Sequence, residues 1–175
     1  MADIRKRVEE DRGLLKTIQT FVPGFRGYRL KEDLRDSDRM LRAQLAKLLG
    51  IQRRGLEQCR KMVKDLMSPQ LDRIGGLVSQ LKQLEGEVTH AETGYSGIAA
   101  DLAIGTPELN QLYEYDTGMI DNIGTIGSAV QSLKASLKAS DSAQAETDMD
   151  NIQNAAVEMK DRFERRKQTI TGTGV

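Results

Sequence analysis

The chain has 175 residues, 26 Lys+Arg against 26 Asp+Glu, 38% hydrophobic residues and 4% aromatic ones, which fits one modest domain and makes a large aromatic-lined catalytic cavity improbable. Three prolines and 30% charged residues argue for long helices over a sandwich or barrel. A single cysteine, Cys59, and a single histidine, His90, exclude an internal disulfide and leave most zinc and di-iron sites short of ligands.

The first amphipathic helix is expected over 2–22, from the helical spacing of Ile4, Val8, Leu14, Leu15, Ile18, Phe21 and Val22. Val22-Pro23-Gly24-Phe25 ends it as a type II turn, with proline setting the bend and Gly24 supplying the positive φ. A long helix follows over 28–67 on the seam Leu30, Leu34, Leu41, Leu45, Leu48, Leu56, Cys59, Val63 and Leu66. Ser68-Pro69 then caps a new helix or kinks the old one, and the seam Ile74, Leu77, Leu81, Leu84, Val88, Ala91 carries a helix over 69–93.

After an expected ordered loop from Gly94 to Gly105, Thr106-Pro107-Glu108 restarts a helix over 107–139. Two heptad series run through it: Leu109, Asp116, Ile123, Val130, Leu137 and Leu112, Met119, Ile126, Leu133. The polar link Ser140-Asp141-Ser142 leads to a last helix over 142–168, with a disordered tail over 171–175. The fold expected is all-α: one elongated antiparallel helical bundle, or coiled-coil hairpins, of four to five helices. Glycines inside the helices, Gly50, Gly55, Gly75, Gly76, Gly118, Gly124 and Gly127, mark either close helix packing or hinges.

Charge divides along the chain. Met1–Met67 holds 17 basic and 10 acidic residues, a surplus of 7 positive charges, and Ser68–Val175 holds 9 and 16, a deficit of 7. No Lys or Arg lies between Lys82 and Lys134, where eight acidic residues do. If the basic long helix packs antiparallel against that region the charges match within the chain; otherwise they steer assembly with a partner.

Asp116 is the most informative single residue. It falls on an apolar seam beside Tyr113 and Met119, where an unpaired carboxylate is costly. The reading taken is a buried charge pair with a long-helix arginine, Arg35, Arg39 or Arg42, that fixes register. The alternative is a metal-binding or enzymatic site using Asp116 with Glu87 and His90, whose Glu-x-x-His spacing resembles half of a di-iron motif. A Cys–His pair would have to join Cys59 and His90.

Aromatic residues cluster at two turns, Phe21, Phe25 and Tyr28 at the first and Tyr95, Tyr113 and Tyr115 at the second. They are end-of-bundle plugs or, for Phe25, Tyr28, Tyr95, Tyr113 and Tyr115, candidate interaction residues. Nucleic-acid binding is weakly supported, because the long helix interleaves acids with its basic residues and net charge is zero. The uncharged stretch Asn122–Leu133 is about a dozen residues, short of the roughly 20 needed to cross a membrane, so membrane contact would be peripheral. With no signal-peptide pattern, a cytoplasmic protein is expected.

Two segments carry a resemblance: Pro23-Gly24-Phe25-Arg26-Gly27-Tyr28 continuing through Lys31-Glu32 to Arg35–Arg42, and Gly94-Tyr95-Ser96-Gly97 with Leu112-Tyr113-Glu114-Tyr115-Asp116. Together they resemble a prokaryotic family of helical, coiled-coil-prone proteins that accompany SPFH (flotillin/stomatin-like) band proteins. The resemblance covers about a third of the chain and implies a membrane-linked scaffold partner. The expected function is therefore a non-enzymatic scaffold or adaptor without a cofactor, acting through a protein partner or self-association along its seams.

Overall fold

The structure, a computed structural model, describes residues 2–27, 31–64, 68–91 and 106–171, with side chains from 12–27, 35–64, 68–91 and 107–171. Five helices occupy them: α1 (Ala2–Phe21), α2 (Lys31–Met62), α3 (Pro69–His90), α4 (Thr106–Ala139) and α5 (Ser142–Thr171), with no strand among the described residues. The chain is an all-α helical bundle. Tyr28, Tyr95, the expected loop to Gly105 and residues 172–175 lie outside the described residues.

Local chemistry explains the helix boundaries. Phe25 donates its backbone N–H to the Val22 carbonyl at 3.1 Å across Gly24 at φ +85°, the type II turn expected at Pro23. Ser37 Oγ donates to the Gly27 carbonyl and Gln19 Nε2 to that of Phe25, both at 3.0 Å, so the connection out of α1 is tied down. α2 stops at Met62, five residues before the expected end. Ser68 Oγ accepts the Gln70 N–H at 3.2 Å, and Pro69 opens α3 as a separate helix rather than kinking α2.

α4 closes with Ser140 at φ +58°. Its N–H goes to the Leu137 carbonyl and that of Asp141 to the Ser136 carbonyl, a Schellman ending. Asp141 Oδ1 then accepts the Gln144 N–H at 3.0 Å and caps α5, so two residues join the two helices.

α2 lies between α3 and α4, α5 closes the ring against α3 and α4, and α1 packs on α4. Arg53 of α2 reaches Glu85 while Arg42 reaches the Val88 carbonyl, which makes α2 and α3 antiparallel. Ser136 on Asp148 and Asn122 on Glu158 do the same for α4 and α5. α2 and α4 instead run parallel, Gly55 lying against Val130 and Gln58 against Lys134. The long basic helix therefore meets residues 82–90 antiparallel, as expected, but the acidic α4 in parallel. The ion pairs among the described residues that cross between the two charged halves are Arg53 with Glu85 and Asp38 with Arg166.

Apolar packing supplies most of the cohesion. Leu41, Leu45, Leu49 and Leu56 of α2 meet Ile74, Leu81 and Leu84 of α3, Leu112, Met119, Ile126 and Leu133 of α4, and Ile152, Met159 and Phe163 of α5 in one core. Each such side chain contributes roughly 1.5–3 kcal/mol on burial. Gly55 shows why one glycine is needed: a Cβ there would stand 2.8 Å from Val130 Cγ1, so α2 and α4 approach too closely for a side chain. Gly75, Gly76 and Gly124 face open space instead.

Candidate functional site

Where α2 and α4 begin and α3 and α5 end, four charged side chains meet. Asp38 sits on the α2 seam one heptad before Leu45, Asp116 on the α4 seam between Leu109 and Ile123, and Arg166 on α5 one heptad after Met159. All three are buried, Asp116 completely. Arg166 donates through Nε to Asp116 Oδ1 at 2.5 Å and through Nη1 to Asp38 Oδ1. Arg42 Nε donates to the other oxygen of Asp38 at 2.9 Å. Among the described residues two guanidinium groups thus balance two carboxylates, where an unbalanced buried charge is expensive.

Arg42 also reaches a fourth helix. Its Nη1 lies 3.3, 3.4 and 3.1 Å from the carbonyl oxygens of Val88, Thr89 and Ala91, the acceptors left open as α3 ends. A cation there also meets the negative end of the helix dipole. One hydrogen-bonded cluster therefore fixes α2, α3, α4 and α5 relative to one another.

This corrects the partner expected for Asp116. The buried guanidinium that meets it comes from α5, and Arg42 joins through Asp38, while Arg35 and Arg39 are exposed. The cause is the ring order: α5 lies beside α4, so a seam arginine on α5 is nearer than the outward-facing arginines of α2. Arg166 and Asp38 were not among the candidates, although both stand on heptad positions.

The other candidates disperse. Phe25 is buried in the core and presents no free surface. Tyr113 is half-buried, with its hydroxyl oxygen 2.8 Å from where a Cβ on Gly27 would stand, and Tyr115 is also half-buried. Glu87 Oε1 accepts from Lys160 and from Gln83, both at 2.8 Å, and the Lys160 hydrogen bond holds its carboxyl below the usual range against the opposing effect of burial. His90 is exposed at the end of α3. No group of three or more His, Cys, Asp or Glu suited to a metal ion exists among the described residues, so Asp116, Glu87 and His90 are not assembled into one site.

Cys59 is buried, its Sγ 4.0 Å from the Val130 carbonyl, and burial pushes its thiol up to about 11, so little thiolate exists near neutrality. It lies 17 residues, roughly 25 Å of helix, beyond Arg42, which contacts the end of α3 where His90 sits. The pair is not assembled.

A cleft of about 720 Å³ opens where α1 ends. Exposed Phe21 stands at its edge, and Ile120, Gly124, Ser128 and Ala129 of α4 with Gln144 of α5 form its walls. No basic residue lines it. Ile18, Val22 and Phe25, at the end of α1 and in the following turn, are buried in the core.

No family model matches the chain, and comparison with curated proteins and with solved structures found no match.

Proposed function

We propose that this chain is a non-enzymatic helical scaffold or adaptor that receives a helix of a partner protein in the cleft beside Phe21. The observation that carries this reading is the shape and chemistry of that cleft. Small residues on α4 and an exposed phenyl ring suit close approach of another helix, and Asp121 and Asp148 in the lining favour one that presents neutral or basic side chains there. A helix lodged there would extend the line of α1 along α4. The charged residues that first suggested chemistry are engaged structurally, Asp116 with Arg166 and Glu87 with Lys160, which also favours a binding role over a catalytic one. The resemblance to companions of band proteins directs the search toward a membrane-associated partner.

The test is affinity capture of the tagged full chain from gently solubilised source cells, with Phe21→Ala and Ser128→Arg variants beside it. One protein recovered in stoichiometric amount, and lost from the Ser128→Arg variant while its melting temperature is retained, is the expected result. Recovery of the chain alone, or of a partner indifferent to both substitutions, would remove the cleft as the binding site.

A further inference from the structure

The solvent face of α2 carries a surplus of basic residues. At 100° per residue, Arg39, Lys47, Arg54, Arg60 and Lys61 fall within about 140° of arc, opposite the buried seam of Leu41, Leu45 and Leu56. Lys64 continues the row just past Met62. All six are exposed, and none takes part in an ion pair among the described residues, whereas Arg42 and Arg53, at the edge toward α3, do. From Arg39 to Lys61 the row is roughly 33 Å long at about 1.5 Å per residue. Among the described residues the acids on or beside this face are exposed Asp36 near one end and the half-buried Glu57 and Glu85, both already engaged by Arg53.

We infer that this face of α2 is an adsorption surface for the anionic headgroups of a lipid bilayer. A row of basic side chains on one outward helix face meets a planar surface along its length, and mobile anionic lipids gather beneath it. Ile51, the exposed large apolar residue of α2, stands at the flank of the row between Lys47 and Arg54 and can enter the interfacial region. No helix among the described residues is long and apolar enough to cross a membrane, so the contact is at the surface. A nucleic-acid duplex fits the row less well. Its phosphate rails wind away from a straight line, and α2 offers no aromatic side chain on which a base could stack.

The test is co-sedimentation of the full chain with phosphatidylcholine vesicles that contain or lack phosphatidylserine, at low and high salt. Binding is expected only with phosphatidylserine, with release as salt screens the charges. Each basic residue near an anionic surface strengthens binding roughly fivefold, so the combined variant Arg39→Gln, Lys47→Gln, Arg54→Gln, Lys61→Gln should lose on the order of several hundredfold in partitioning. Circular dichroism and an unchanged melting curve show that the variant is folded. The control Arg165→Gln, Lys167→Gln on α5 removes charges that are paired with Asp161 and Glu164 and should change partitioning far less.

Absence of binding to anionic vesicles overturns the inference, as does undiminished binding by the α2 variant. Binding of duplex DNA or of an acidic protein through the same residues, with vesicles ignored, reassigns the face and likewise overturns it. The inference stands apart from the proposed scaffold function, because Ser128→Arg alters the cleft beside Phe21 and leaves vesicle binding unchanged.

Discussion

The two ends of the bundle solve the same problem differently. At one end Asp38 and Asp116 are buried against Arg166 and Arg42, charge against charge, across three helices and onto the end of a fourth. At the other, Asp148 is equally buried but has no basic partner. Its two oxygens accept from Ser136 Oγ and Gln144 Nε2, each at 2.9 Å, within the α4–α5 hairpin. A two-residue link already fixes the geometry of that hairpin, so local neutral donors suffice to hold one carboxylate. The opposite end must set the relative positions of helices far apart in sequence. There charged, directional bonds discriminate one register from its neighbours, which apolar seams do poorly.

The contrast is sharpest when one charge is removed. Arg166→Met removes the guanidinium that bonds both buried carboxylates and is expected to cost about 3–5 kcal/mol, read as a fall in urea midpoint at unchanged slope. Gly27→Ala, beside the same end, places a Cβ at φ +88° against the Tyr113 hydroxyl and should cost about 2 kcal/mol in thermal or chemical unfolding. At the hairpin end, Ser136→Ala removes one neutral donor from Asp148, and calorimetry should show a loss of about 1–2 kcal/mol. A Ser136→Ala effect as large as that of Arg166→Met would erase the distinction between the ends.

The smallest effect concerns the Glu87–Lys160 pair that links α3 to α5 on the surface. Glu87 is held below the ordinary carboxylate range, so its contribution is complete above that range and is lost as pH falls through the lowered value. Glu87→Gln should lower the neutral plateau slightly, by less than about 1 kcal/mol, and so flatten the acid limb, leaving stability at low pH almost unmoved.

Much of this was legible in one sequence, and the gaps have physical reasons. Heptad spacing put Leu112, Met119, Ile126 and Leu133 in the core and Asp116 among them, as the structure has it. The same arithmetic applies to Arg166, seven residues after Met159, and to Asp38, seven before Leu45, but it marks neither as a neighbour of Asp116. Periodicity gives a face, not a neighbour. Only the ring order, with α5 beside α4, shows that Arg166 meets Asp116. Phe21 and Phe25 exchange the roles their spacing suggested, because the turn at Pro23 folds Phe25 back into the core and leaves Phe21 at the edge of the cleft. The basic surplus of the first half was plain in the sequence, but its concentration on one outward face of α2 depends on which seam is buried.

The most direct test of the buried network is a pair of double variants measured by urea unfolding. Removing Asp116 and Arg166 together, as Asp116→Leu with Arg166→Met, leaves Asp38 and Arg42 as a neutral pair. That protein should recover most of the stability lost by Arg166→Met alone. Removing Asp38 and Arg166, as Asp38→Leu with Arg166→Met, takes from buried Asp116 the guanidinium that bonds its Oδ1 while leaving its charge in place, and should remain well below the first double variant. Equal stability of the two, or losses that merely add, would contradict a network in which Arg166 serves Asp116 while Arg42 serves Asp38.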